Sequence, residues 1–320
     1  MSGEDVRASA ERLAAAAGQT EAAVALLHER SEAGDPQAMF VLGVWHAAGE
    51  RLPRDLAAAR TCFEAAAAAG EPQARRVLIN FQAAGVGGPR LWEQALAGLA
   101  RLAETDAHAA KQHALIAAMD LNEGGEPRAI PTAEPLSAAP DVRLLPGLLT
   151  PAECDYLIRA ALPLMRASLV VDERSGARVR HPIRTADAAM FTWALENPAV
   201  HALNRRIAAA SGSNAGQGEP LQVLRYAPGQ EYRTHLDALA GLENQRAWTV
   251  LVWLNEDFGG GETAFTETEL RVRGRRGDAL LFGNLAGGRP DPLSAHAGLP
   301  VTRGTKFMAS RWIRERAFEG

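Results

Sequence analysis

The sequence predicts an α + β protein in two parts, an α-solenoid of helical pairs followed by an all-β sandwich or barrel with bracing helices. Three observations predict it. Up to about residue 122 the chain is rich in Ala, Leu, Glu and Arg, all strong helix formers. That stretch repeats itself: GDPQAMFVL from Gly34 and GEPQARRVL from Gly70 lie 36 residues apart. Beyond it, short runs rich in Val, Thr and aromatics are bounded by Gly, Pro, Asn or Asp, with no alternation of strand and helix. A length of 320 residues agrees with two domains at about 150 residues each.

The 36-residue period also relates Gln19–Gly34 to Asp55–Gly70, and a third, worn copy starts at Thr105. A period in the thirties implies helical pairs that bury their apolar faces only by stacking on neighbours. Helices are expected near 4–17, 20–33, 36–48, 55–69, 72–84, 91–104 and 106–122. Ala38, Val41, Leu42 and Trp45 form one apolar stripe. The pattern Ala38, Leu42, Gly43, Gly49, Asp55, Ala59, Phe63, Ala67 and Gly70 resembles Sel-1-like repeats of the tetratricopeptide superfamily. That resemblance implies protein or peptide binding; a solenoid that only packs or dimerises is the plainer alternative. The expected domains are a repeat domain over 1–122, a Pro/Gly-rich linker over 123–141 and a β domain over 142–320. The linker assignment rests on four prolines and an adjacent glycine pair between Asn122 and Pro140.

Composition excludes several classes of function. The 34 basic and 38 acidic residues leave a net charge of −4, so a nucleic-acid electrostatic footprint is not expected. The N-terminus starts acidic with no signal-peptide pattern, and no apolar run of about 18 residues could span a bilayer. Two isolated cysteines, Cys62 and Cys154, make no disulfide framework or metal cage. A cytoplasmic location and no membrane partner are expected.

In the second part, 151–161 and 198–210 read as amphipathic helices, and the stretches 221–237, 248–257, 278–284 and 305–313 as strands with their turns. His235 and Asp237 are spaced to face the same way along a strand. With His296 from a distant strand, they would make a set of two imidazoles and one carboxylate, a facial triad suited to Fe(II). Zinc in a hydrolytic site uses similar ligands, so the set alone names no reaction. Lys306 discriminates between the two. On a strand from Thr305 it shares a face with Met308, Ser310 and Trp312, and an inward lysine needs a negative partner. A dicarboxylate held on iron at one end would supply that partner; a solvated edge-strand lysine is the alternative.

These elements, in this order, resemble the prolyl 4-hydroxylase group of 2-oxoglutarate- and Fe(II)-dependent dioxygenases. The resemblance runs from about Leu144 to Arg314. It is carried by LTPAECDYLIRAA, ENPAVHALNRRIA, LQVLRYAPGQEYRTHLD, QRAWTVLVWLNEDFGGGETAF, GDALLFGN and HAGLPVTRGTKFMASRWIRE. It implies a double-stranded β-helix, or jelly roll, in which His235, Asp237 and His296 ligate Fe(II) and Lys306 holds the distal carboxylate of 2-oxoglutarate. Tyr226, Thr263 and Trp312 would line the co-substrate pocket, and Tyr232 would be core or active-site wall. Dioxygen is the implied co-substrate, with ascorbate as reductant. Trp253 stands where the family usually has Tyr, which leaves open how the distal carboxylate gains its second hydrogen bond. The charged segment Val170–Phe191 corresponds to a mobile substrate-covering loop in the family. Arg180 and Arg184 there are candidate substrate contacts, with solvated loop charges as the alternative. The implied activity is hydroxylation of a prolyl residue in a peptide or protein recruited by the repeats. A free amino acid or other small molecule as substrate, and a catalytically inert scaffold, are the competing readings.

Overall fold

The computed structural model describes residues 6–15, 19–171, 178–180, 183–239 and 241–318. The chain divides into two compact units, one comprising Met1–Ala118 with Trp193–His201, the other Met119–Thr192 with Ala202–Gly320.

Among the described residues the N-terminal part of the first unit forms helices α1 Val6–Ala15, α2 Thr20–Glu32, α3 Pro36–Ala48, α4 Leu56–Ala68, α5 Pro72–Ala84, α6 Trp92–Ala103 and α7 Ala107–Ala117. The repeated G-D/E-P-Q motif is the junction between helices. Gly34 and Gly70 adopt φ of 86° and 99°, the left-handed region that other residues resist. The following acid caps the next helix. Asp35 Oδ1 accepts from the Gln37 and Ala38 amides at 2.9 and 3.2 Å, and Glu71 accepts from the Gln73 amide at 3.1 Å. Pro36 and Pro72 then take the first helical position, where a missing N–H costs nothing. The stripe Ala38, Val41, Leu42 and Trp45 is buried. Phe63 of α4 packs between Phe40 and Phe81, with ring centroids 5.7 and 5.2 Å away. Gly43 makes room for it, since a Cβ there would lie 2.6 Å from the Phe63 ring.

Trp193–His201 groups with the helical unit, whereas the sequence reading placed it in the second domain. The reason is local. Trp193 meets Phe81 edge to face at 5.5 Å, and the buried Asn80 side chain donates to the Ala194 carbonyl at 2.7 Å.

The second unit is built on two antiparallel sheets. The larger has eight strands in the order Glu134–Ala138, Asp141–Leu145, Ala279–Gly283, Arg246–Trp253, Lys306–Arg314, Leu221–Tyr226, Asp187–Phe191 and Arg166–Ala167. The smaller runs Arg271–Val272, Thr263–Phe265, His296–Gly298 and Tyr232–His235. This is the double-stranded β-helix expected, with apolar side chains of both sheets forming one core. Phe265 of the small sheet meets Phe282 of the large one edge to face at 5.2 Å. The helices α8 Pro151–Ala161 and α9 Pro198–Ala210 match the two predicted ones. A capping box of Thr150 and Glu153 starts α8, and Glu153 also accepts from Arg206 at 2.7 Å.

Two expectations are corrected. Residues 134–138, read as linker, form the outermost strand of the large sheet, paired with 141–145. Pro135 is tolerated because an edge strand leaves one row of backbone groups unpaired, so its missing N–H breaks no ladder bond. Residues 187–191, read as loop, are a sheet strand paired with 221–225; Ala189 and Phe191 alternate inward and are buried. Among the described residues no helix is long and apolar enough to cross a membrane.

Candidate metal centre and its cavity

The two imidazoles meet through sheet register. In the small sheet His296 is the cross-strand partner of His235, and their ring centroids lie 4.3 Å apart. Asp237 arrives differently from the expectation of a shared strand. The strand ends at His235 and the chain bends at Asp237, whose side chain nevertheless turns to the same point. The three ligand atoms lie within 4.8 Å of one another.

Hydrogen bonds fix what these atoms present. His235 Nδ1 donates to the Arg233 carbonyl at 2.8 Å, and His296 Nδ1 donates to the Ser294 carbonyl at 3.0 Å. A carbonyl can only accept, so each Nδ1 carries a proton, and in the neutral tautomer this selects, Nε2 is the atom with the lone pair. Those Nε2 atoms face Asp237 Oδ1 at 3.4 Å and Oδ2 at 3.7 Å. Burial pushes the His296 pKa down, more than the Asp237 carboxylate restores it, so its ring is neutral at pH 7. For Asp237, burial works to raise the pKa, but His296, His235 and the Thr249 hydroxyl outweigh it and hold the group below the usual carboxylate range. In the neutral tautomers three electron-pair donors converge on one point. A divalent cation removes that repulsion, and two neutral imidazoles with one carboxylate are the donor set that suits Fe(II). The residues fit the ion.

A cavity opens from this point. Lys306, Met308, Ser310 and Trp312 all line it, the alternation expected of their strand. Lys306 is the cross-strand partner of Tyr226, is 2% exposed, and donates from Nζ to the Gly261 carbonyl at 2.7 Å. Its ammonium lies 5.4 Å from the Tyr226 ring centroid. Burial pushes its pKa down to about 7, with Glu262 opposing the shift and Arg273 adding to it. The Tyr226 hydroxyl is kept protonated, since burial drives its pKa upward. Thr263 also lines the cavity and is buried.

At the same cavity Tyr232 stacks on His235 with centroids 3.6 Å apart, which makes it a wall of the site. Arg184 lies over Tyr232 at 5.6 Å and donates to Gln222 Oε1 at 3.2 Å. Arg180 ends a described strand, but its side chain lies outside the described residues, as does His181. Trp253 is fully buried in the core and does not line the cavity. Its indole occupies the space beside Gly274, where a Cβ would come within 2.3 Å of the ring.

Three groups near the site escaped sequence reasoning. Thr249, fully buried, donates to Asp237 Oδ2 at 2.6 Å and accepts from Asn284 Nδ2 at 2.9 Å. Glu219 accepts from Arg246 at 2.6 and 2.9 Å and pairs with Arg314 at 2.7 Å. Arg246 in turn lies 3.6 Å over the Trp312 ring and donates to the Asp237 carbonyl at 3.4 Å. Thr249 did leave a signal: it is polar at the same inward register as Leu251 and Trp253. Glu219 precedes its strand and left none.

A protein-family profile described as the 2OG-Fe(II) oxygenase superfamily matches residues 221–314. Prolyl 4-hydroxylase 1 of Arabidopsis thaliana is 35% identical over 204 residues, covering 58% of this chain and 72% of its own. The viral collagen prolyl hydroxylase vCPH from Paramecium Bursaria Chlorella virus-1, solved as a 2OG complex, is 28% identical with a TM-score of 0.44. That match covers 54% of this chain and 95% of the viral one. A Sel1 repeat protein from Oxalobacter formigenes is 26% identical with a TM-score of 0.31, covering 34% of this chain and 88% of its own.

Proposed function

The chain belongs to the prolyl 4-hydroxylase family of 2-oxoglutarate- and Fe(II)-dependent dioxygenases, and from that premise we propose that it hydroxylates a prolyl residue in a peptide or protein. The observation that supports this reading best is the arrangement of one cavity. His235, Asp237 and His296 lie along it together with the ammonium of Lys306.

His235, Asp237 and His296 would hold the iron; bound there, it supplies the site where 2-oxoglutarate and dioxygen react, releasing succinate and carbon dioxide as one oxygen atom enters a C–H bond. The remaining work belongs to the chain. Lys306 receives the distal carboxylate of 2-oxoglutarate, because its buried ammonium is the cationic group on that wall and a charge-assisted hydrogen bond is strongest where water is excluded. Tyr226 and Thr263 offer neutral hydroxyls beside it. The carbonyls of Arg233 and Ser294 keep both imidazoles in the metal-binding tautomer. Tyr232, Arg184 and the Trp312–Arg246 pair form the walls against which a substrate segment rests, and Arg180 is assigned to the same substrate-facing group.

The helical repeats recruit the protein that carries the target proline, and a cytoplasmic substrate and ascorbate as reductant belong to the same reading. Helical-pair arrays present extended surfaces suited to such a role. The test uses the full chain with Fe(II), 2-oxoglutarate and ascorbate, offered proline-containing peptides, free proline and a cell lysate. Mass spectrometry should find one added oxygen atom on a prolyl residue of a peptide or protein, with succinate formed in step. Oxidation of free proline alone would refute the peptide reading, and no succinate from any substrate would refute the enzyme itself.

A further inference from the structure

Asp237 has two carboxylate oxygens, and the fold treats them differently. Each faces one imidazole, Oδ1 toward His235 Nε2 at 3.4 Å and Oδ2 toward His296 Nε2 at 3.7 Å, but they differ in their hydrogen bonds. Oδ2 accepts the Thr249 hydroxyl at 2.6 Å, a distance characteristic of a charged acceptor. The direction of that bond is enforced from behind. A hydroxyl has a single proton, and Asn284 Nδ2 donates to Thr249 Oγ1 at 2.9 Å. The threonine oxygen is thus an acceptor on one side, and its proton can only go to the carboxylate.

Each member of this chain is fixed independently of any metal. Thr249 and Asn284 are both fully buried. Thr249 sits in the Arg246–Trp253 strand opposite Phe282, two residues before Asn284. The Asn284 backbone is held at both ends: its N–H donates to the Ala247 carbonyl at 2.9 Å, and its carbonyl accepts from the Asp291 N–H at 2.9 Å. The Asn284 amide nitrogen donates to the hydroxyl and the hydroxyl to the carboxylate in series, all buried, and these two bonds fix the direction of the Thr249 O–H.

We propose that Asn284 and Thr249 are positioning residues that assign the two oxygens of Asp237, saturating Oδ2 so that Oδ1 alone coordinates the metal. The proposal rests on the metal-centre reading above. The terminal torsion of a carboxylate is broad, and Asp237 stands on a bend past the end of its strand. Freed from Thr249, it can rotate and offer both oxygens to one ion, taking up a position that the co-substrate needs. Groups behind a ligand that hold it this way are as much a part of a metal site as the ligands themselves.

The probe is Co(II) alone, added to the full-length metal-free protein and followed by calorimetry and by visible absorption, which reports the number and symmetry of donors. Thr249→Val keeps the side-chain shape and removes the hydroxyl. It should weaken Co(II) binding by about 10- to 100-fold and alter the cobalt spectrum. Thr249→Ser restores the hydroxyl and should return both the spectrum and the affinity to within about threefold of the wild type. Asn284→Leu removes only the rear donor and should shift the spectrum in the same direction with a smaller loss of affinity. Wild-type affinity and spectrum in Thr249→Val would overturn the relay. Where circular dichroism shows that Thr249→Val does not fold, Asn284→Leu decides on the same criterion. Failure of the wild-type protein to take up Co(II) would instead overturn the metal-centre reading beneath it.

Discussion

Replacing Lys306 by Met isolates the charge of that side chain from its bulk. Methionine is unbranched and apolar, and it would lie beside Met308 and the Tyr226 ring, so the wall keeps its shape. What is lost is one charge-assisted contact to the distal carboxylate of 2-oxoglutarate. At 2% exposure solvent screens that contact little, so it should be worth about 1.5–3 kcal/mol. At 1.36 kcal/mol per factor of ten, the KM for 2-oxoglutarate should rise by about 10- to 150-fold. The wild-type protein should show a matching pH dependence. Burial has moved the lysine pKa down to about 7, so below that pH the ammonium is present and above it the amine is neutral. A dianion binds the charged form, hence KM should be lowest below pH 7 and climb as pH rises through it. In Lys306→Met that climb should vanish. Succinate release measured against 2-oxoglutarate concentration at several pH values tests both. An unchanged KM in the variant, or the same pH slope in both proteins, would refute the placement of the co-substrate against Lys306.

His235→Ala, Asp237→Ala and His296→Ala should each abolish uptake of Co(II) in calorimetry and release of succinate, because two remaining donors seldom hold a divalent ion. Arg184→Ala should raise the peptide KM several-fold and leave the 2-oxoglutarate KM unchanged, since Arg184 stands over Tyr232 rather than beside Lys306. In the helical unit, Gly43→Ala should cost about 1–3 kcal/mol by calorimetric melting, because the new methyl would press on the Phe63 ring at 2.6 Å. Loss of the Asp35 cap in Asp35→Ala should cost about 1 kcal/mol by the same measure.

The repeat half could be read almost residue by residue from the chain. Helix ends are local events: Gly34, Asp35 and Pro36 carry the stop, the cap and the restart within three positions. The inward face of a strand is equally local, which is why the spacing alone puts Lys306, Met308, Ser310 and Trp312 on one side. Strand 134–138 was missed for the converse reason. Pro135 and the prolines flanking the strand read as linker, and only a partner at 141–145 makes an edge strand of the segment. Trp253 shares the inward register of Leu251, yet it is enclosed in the core while Leu251 reaches the cavity. Nothing along the strand distinguishes the two.

By itself, the sequence determined the helical pairs with their caps, the strands with their inward faces, and the residue types able to bind iron and a dicarboxylate. The caps and inward faces follow from spacings of two to about four residues, which backbone geometry converts directly into shared faces. Only the tertiary structure decided that His296 stands opposite His235, that Asp237 reaches them from beyond a strand end, and that Asn284 directs the Thr249 proton onto one carboxylate oxygen. Apart from the step from His235 to Asp237, those relations join residues from 12 to 61 positions apart, and strand pairing and burial in one core, not any local propensity, bring them together.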